Sequence, residues 1–401
     1  MRKDETLAIQ QAIRSVETMN NTRHDEVSTS RRRSLNLFQP PLAVRRTARS
    51  DAVRERRAVQ VEKGSLGRVL IGALAAVTLI PVGAVSGASP ASAATNQFRG
   101  MNWAVLGDNF STGPLVVQGL SQSDSNATVR AKANALYDDM AAMGVNTVRL
   151  PINTHTVGTT WWNNYRGAID AATARGFKVI LAYWEDGAAS GGRITNIAAW
   201  NTMWSRVTST YGSNTNVYFE PMNEPHGYSS ADWRNVAANW LSYHYSAVPG
   251  RTLIGGTGYS QDLRDVCNDS RFSGTLLSFH HYAFFYSAMT YDAFRSHIQT
   301  RLGNCASRAV VTEYGAPMST GLDYANTSST DNFVRHIRAI TQVMRDNQMG
   351  GTYWPALGGK PTGSLGYDHY SMFALSGSGT NLNLTVRNAS GRDRVRYGWG
   401  L

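Results

Sequence analysis

The strongest constraint on the fold is an alternation. From residue 98 onward, short runs rich in β-branched and aromatic residues take turns with longer stretches whose apolar residues recur at helical spacing. The strand windows fall at 98–103, 145–152, 177–183, 217–219, 251–256, 276–280, 308–313 and 351–354, and helical windows at 128–143, 162–175, 197–211, 232–247, 291–302 and 330–347 separate most of them. Strands that alternate with helices imply a parallel sheet. Eight such units in one domain fit a closed (β/α)8 TIM barrel of the α/β class better than an open doubly wound sheet. No Gly-x-Gly-x-x-Gly follows the first strand and no Gly-Lys-Ser phosphate loop occurs, so nucleotide-binding sheets lose their main support. The tail 376–401, rich in Gly, Asn and Arg, does not read as a closing eighth helix.

The first quarter of the chain is of another kind. Residues 1–63 are polar and studded with arginine, with no sustained apolar period, and read as a disordered basic leader. Residues 64–93 follow as a secretory signal peptide: an apolar run from Leu66 to Ile80, then small residues ending in Ala91, Ser92 and Ala93. Pro81 and the neighbouring glycines interrupt the roughly 20 apolar residues that a membrane span needs. Arg32 and Arg33 also hint at a twin-arginine signal, although the apolar core lies far downstream of them. The leader and signal carry +7 of the net charge of +11, which leaves +4 on residues 94–401. The basic balance is therefore mostly a leader property, and no nucleic-acid partner is expected. Cys267 and Cys305 stand alone after the signal. In an exported chain they make one disulfide, contributing roughly 3 to 4 kcal/mol, or remain two buried thiols; neither has the neighbours of a zinc site.

A barrel carries its chemistry at the carboxyl ends of its strands. Those ends hold Asn102 and Trp103, Arg149, Trp184, Glu185 and Asp186, Asn223 and Glu224, Tyr259, His280, His281 and Tyr282, Glu313, and Trp354. Val217, Tyr218 and Phe219 favour extended backbone, and Pro221 and Pro225 exclude a helix after them, so Glu224 leaves a buried strand. Desolvation there raises a carboxyl's pKa toward the range of a proton donor. Glu313 ends the seventh strand, across the barrel mouth from Glu224, so the two carboxyls can flank one scissile bond. Trp103, Trp161, Trp162, Trp184, Tyr259 and Phe284 fall at strand ends or in the following loops, where flat faces can stack on sugar rings. Trp200, Trp204 and Trp240 lie within helices and read as packing, and His281 as core or outer support. The Gly- and Ser-rich segment from Leu106 to Asn126 is long for a βα loop and reads as a cleft wall.

Over about residues 98–357 the chain resembles glycoside hydrolase family 5, in the clan of retaining (β/α)8 glycosidases. Asn223-Glu224-Pro225 is similar to that family's strand-four motif, which implies Glu224 as acid/base and Asn223 as the amide on the sugar 2-hydroxyl. Thr312-Glu313-Tyr314-Gly315 resembles the strand-seven motif and implies Glu313 as nucleophile. The resemblance further implies His280 and Tyr282 around the two carboxyls, Arg149 as the cation that keeps the nucleophile ionised, and Trp354 as the indole beneath the reacting sugar. The pattern departs at strand three, where Tyr183-Trp184-Glu185 stands in place of the usual histidine.

These readings converge on a secreted, monomeric glycosidase that cleaves β-glycosidic bonds in a polysaccharide by double displacement, foremost an endo-β-1,4-glucanase. Other expected forms are a β-mannanase, another β-glycanase or exo-glycosidase, or a barrel that binds carbohydrate without catalysis. No cofactor, metal or stable membrane span is expected.

Overall fold

The computed structural model describes residues 95–401 apart from 245 and 246. The leader and signal peptide expected at 1–63 and 64–93 lie outside the described residues.

Eight parallel strands form the sheet: β1 (Arg99–Leu106), β2 (Thr147–Ile152), β3 (Lys178–Tyr183), β4 (Val217–Glu220), β5 (Leu253–Gly255), β6 (Leu276–His280), β7 (Ala309–Glu313) and β8 (Gly350–Gly359). They are hydrogen-bonded in the order β4-β3-β2-β1-β8-β7-β6-β5, and one parallel bridge from Phe219 to Thr252 joins the two edges into a barrel. All eight overlap the windows expected from the sequence, although β1 and β8 run several residues beyond theirs. Strands buried on both faces read as continuous apolar runs, which is why the alternation was so plain.

Around them lie α1 (Asn126–Ala142), α2 (Thr160–Ala174), α3 (Ile197–Tyr211), α4 (Ser230–Tyr243), α5 (Tyr291–Leu302) and α6 (Asn332–Asp346). Each starts at a Ser, Thr, Asn or Asp side chain that accepts a backbone N–H of the first turn, such as Ser125 for α1 and Asp331 for α6. Between β5 and β6 the crossover is made of single turns, Thr257–Ser260 and Arg264–Cys267, as the loop-rich composition suggested. Cys267 and Cys305 are joined in a disulfide across a Cα separation of 6.0 Å.

The tail corrects an expectation. It forms a hairpin of β9 (Phe373–Ser378) and β10 (Asn381–Val386), then a closing helix α7 (Ala389–Gly398). Arg392, Arg394 and Arg396 dominate the composition of α7 and hide a narrow buried face of Gly391, Val395, Gly398 and Trp399. Asn388 caps its start, and Trp399 Nε1 donates to the Gly351 carbonyl of β8 at 3.2 Å. Leu401 lies over Gly144, whose φ of +94° favours glycine. Thr95 Oγ1 accepts from Gly350 N at 3.1 Å and donates to the Ala309 carbonyl. Both of those partners are first residues of strands.

Two layers divide the barrel interior. Phe98, Ile180, Tyr218, Leu253 and Val310 form an apolar plug near the strand starts, with Phe98 edge-on to Tyr218 at 4.9 Å. Two residues further along the strands, side chains on the same face become polar: Glu220 follows Tyr218, Ser278 follows Leu276 and Thr312 follows Val310. The larger apolar core lies outside the barrel, between strands and helices.

Candidate active site

The polar layer is organised by Arg149 of β2, which is about 1% exposed. A guanidinium has five N–H donors, and all five are used. Nε donates to Glu220 Oε2 at 2.7 Å and Nη2 to Glu220 Oε1 at 3.0 Å; Nη2 also reaches Asn223 Oδ1 at 2.8 Å, and Nη1 reaches Asn102 Oδ1 at 2.9 Å and Glu313 Oε1 at 2.6 Å. Glu220 is fully buried, and its Oε1 also accepts from the Ser278 hydroxyl at 2.8 Å. This bidentate pair fixes the fork, and the fork then aims Glu313 and Asn223 at the mouth.

Glu313 ends β7. Its second oxygen accepts the Tyr282 hydroxyl at 3.0 Å and lies 3.6 Å from His280 Nδ1. Glu224, four residues past the end of β4, has a left-handed φ of 51°, an arrangement uncommon outside glycine that here turns its carboxyl inward. Its Oε1 lies 3.0 Å from His280 Nδ1, and its side chain is 16% exposed. The ligand-capable atoms of Glu224, His280 and Glu313 all lie within 4.8 Å of one another. That proximity suits the roughly 5 to 5.5 Å of a retaining pair and is too short for the roughly 6.5 to 9.5 Å that an inverting pair leaves for water.

Environment separates the two carboxyls. Burial pushes Glu224 well above the usual range, and the charge of Glu313 pushes it further. Burial also pushes Glu313 up, to about 7, although Arg149 and the Tyr282 hydroxyl both pull it back. The sequence reading had Arg149 lowering this carboxyl; the net shift is upward because desolvation inside the barrel outweighs one guanidinium already shared with Glu220. The order of proton loss survives, with Glu313 ionising before Glu224. Burial and Arg149 hold His280 neutral, and burial and the two glutamates keep Tyr282 protonated as a donor.

The open cleft above is lined by Asp108, Phe110, Trp184, Asn223, Glu224, Tyr259, Tyr282, Phe284, Phe285, Glu313, Trp354, Lys360 and Tyr370. Trp354 stacks on Trp184 with ring centroids 6.0 Å apart, and the Arg149 guanidinium sits 4.5 Å from the Trp184 ring centroid. Thus the strand-three position that departs from the family pattern holds an indole joining the floor to the Arg149 network. Tyr259, itself at a left-handed φ of 61°, stacks on His226 at 4.1 Å and leans on Phe285.

Several expected contacts lie elsewhere. Trp103 is fully buried behind the wall; its Nε1 donates to the Gln118 carbonyl and its ring meets Tyr137 edge-on. Trp161 and Trp162 are core residues of α2 rather than sugar platforms. A strand end has two faces, and Trp103 takes the outward one. Glu185 accepts from Gly192 N at 2.7 Å, bracing the ribbon of Ala189–Ser190 and Arg193–Ile194, and does not line the cleft. Trp200, Trp204 and Trp240 pack in the core, and His281 sits behind the site between His336 and His297. The loop after β1 supplies Asp108 and Phe110 to the cleft.

Sequence reasoning missed Glu220, Asn102 as an Arg149 partner, and Asp108, Phe110, Lys360 and Tyr370 in the lining. Glu220 had a signal: it is a carboxylate inside an apolar strand, in phase with the inward Tyr218, and a buried carboxylate needs a cation. Asn102 lies on β1, where the sequence marks a strand end but not its partner, and the others sit on loops that periodicity does not place.

A family model described as Cellulase (glycosyl hydrolase family 5) matches residues 108–358. A curated relative, the manganese dependent endoglucanase Eg5A of Phanerodontia chrysosporium, is 28% identical over 138 residues. That alignment spans 31% of this chain and 34% of the relative, about a third of each. Among solved structures, the catalytic domain of the major endoglucanase from Xanthomonas campestris pv. campestris is similar in fold, with a TM-score of 0.55 and 18% identity over 76% of this chain and 95% of that one. An endocellulase from Pyrococcus horikoshii, crystallised with cellotetraose, also gives a TM-score of 0.55, with 16% identity over 75% of this chain and 92% of that one. With well over half its length matched by the family model on a closed eight-stranded barrel, the chain belongs to glycosyl hydrolase family 5.

Proposed function

We propose that the chain is a retaining endo-β-1,4-glucanase in which Glu313 is the nucleophile and Glu224 the acid/base. The observation that carries this reading is the approach of the two carboxyls within 4.8 Å, one held by Arg149 and Tyr282 and the other by His280. Glu313 attacks the anomeric carbon while Glu224 protonates the departing oxygen. Glu224 then takes a proton from the water that releases the sugar. The Asn223 Oδ1 is committed to Arg149, which leaves its Nδ2 group to donate to the sugar 2-hydroxyl. Trp354 and Trp184 present flat apolar surface beneath the ring. The choice of β-1,4-glucan rests on the family and on the relatives' names, endoglucanase and endocellulase.

The relative's manganese dependence raises the question of a metal. Among the described residues, the group able to close on a divalent ion is Glu224, His280 and Glu313. An ion there would occupy the lone pairs that attack and proton transfer require, so occupancy and double displacement compete.

Residues 64–93 export the protein, and residues 94–401 act as a monomeric catalytic unit. Among the described residues, no helix is long and apolar enough to cross a membrane. Intact mass of material from the culture medium tests the export step. For the activity, reducing-sugar release is measured on β-glucans, β-mannans, xylans and galactans, with Glu313→Ala as control. Release from β-1,4-glucan that the control lacks supports the reading. Release from mannan alone changes the substrate, and binding without release on any polymer overturns catalysis.

A further inference from the structure

On the flank of the barrel, away from the cleft, α5, α6 and α7 bring together a ladder of alternating arginines and tyrosines. The Arg295 and Arg338 guanidiniums lie 5.8 and 5.2 Å from the Tyr291 ring centroid, and those of Arg394 and Arg345 lie 4.2 and 4.4 Å from that of Tyr397. The two halves are linked where Arg394 Nη2 donates to the Arg338 carbonyl at 3.0 Å. Two nearby acids are already engaged, Asp346 by Arg295 at 2.9 Å and Asp393 by Arg392 at 2.8 Å. Among the described residues, no carboxylate pairs with Arg338, Arg345 or Arg394. Their hydrogen bonds go to the backbone carbonyls of Thr327, Tyr397 and Arg338, and the Nε atoms of Arg394 and Arg295 are buried without any acceptor.

Such an arrangement is expensive. Arg394 is half-buried with Arg338 and Arg345 close enough to disfavour its charge. Like charges gathered on one face are stabilised by an oxyanion that meets their exposed N–H groups and offsets the repulsion. Arg338 and Arg345, seven residues apart on one face of α6, are separated by about 10 Å along the helix. That span suits successive charges of a polymer better than one small ion. Guanidiniums already lie against both tyrosine rings, which disfavours their stacking on nucleobases.

We infer that this flank binds a carboxylate-bearing polysaccharide, holding the enzyme on an acidic glycan while the cleft works on a neutral one. The choice of a glycan as the polymer rests on the proposed glycosidase activity; the anion site itself does not.

The test is affinity electrophoresis of the full chain in gels containing polygalacturonate, fully methyl-esterified polygalacturonate, or double-stranded DNA. Retardation is expected with polygalacturonate only. It should weaken at least tenfold in the triple variant Arg338→Gln, Arg345→Gln, Arg394→Gln, and vanish near 1 M salt, where the screening length is about 3 Å. The single variant Arg345→Gln, at an exposed position, should weaken it about threefold and guards against misfolding of the triple variant. Retardation is read without turnover, so a failed activity assay leaves this result standing. No retardation of the native protein, equal retardation of the variants, or DNA retarded as strongly as polygalacturonate would each overturn the inference.

Discussion

Replacing Arg149 by lysine keeps the buried positive charge and removes the fork. The guanidinium makes five hydrogen bonds, to Asn102, Asn223, Glu313 and both oxygens of Glu220. An ammonium has three donors, so at least two acceptors are orphaned. Hydrogen bonds to charged groups are worth about 1.5 to 3 kcal/mol each, so Arg149→Lys should cost about 3 to 6 kcal/mol of stability. The sign of its pH dependence follows from the carboxylates. An orphaned Glu313 in the barrel acquires a folded-state pKa further above its unfolded value. Such a group binds more protons folded than unfolded, so the added loss is absent below the unfolded value of 4.5 and grows as pH rises toward the new folded value. Urea unfolding of both proteins at pH 5 and pH 8 measures this, with the m-value checking that the unfolded states are alike. A loss under about 1 kcal/mol, or one that does not grow with pH, would refute the account of Arg149 as the organiser of the site.

Other outcomes can be stated from the same geometry. The pH profile of kcat/KM should rise through about 7 as Glu313 ionises and fall at higher pH as Glu224 loses its proton, giving a neutral to mildly alkaline optimum; an optimum below pH 5 would contradict it. Glu224→Ala should lower turnover of β-glucan by about 10²- to 10⁴-fold and leave the first step nearly intact on a dinitrophenyl glycoside, whose leaving group needs no acid. Cys267→Ser with Cys305→Ser should cost about 3 to 4 kcal/mol, seen in urea unfolding and reproduced on the native protein by reductant. Added Zn²⁺ should raise KM without lowering kcat by binding Glu224, His280 and Glu313, and activation by Mn²⁺ would argue against competition at that site.

The fold was legible because buried parallel strands and capped helices leave different periods in sequence. Positions 276–280 and 197–211 were placed to the residue. The pairing of Glu224 with Glu313 was legible because strands four and seven face each other in any eight-fold barrel. Orientation was not: Trp103 and Trp354 both belong to barrel strands, yet one turns outward to the helices and the other lines the cleft. Telling them apart needs the register, which is set by pairing between strands far apart in sequence. Glu220 was overlooked because an apolar run with one acid looks like a strand end, while its partner Arg149 lies on a strand that is not its neighbour. The ten-residue α7 was missed because four small or apolar side chains sufficed to dock it.

Thr95 lies against the first residues of β7 and β8, and Leu401 over Gly144 just ahead of β2. Both belong to the end of the barrel where strands begin, and the cleft belongs to the end where they finish. For anyone coupling the domain to a bead, an electrode or a second enzyme, either end of residues 95–401 is therefore a usable handle. A long polymer could slide across the opposite face without meeting the linker, whereas a graft on the loop carrying Phe110 would stand directly in its track.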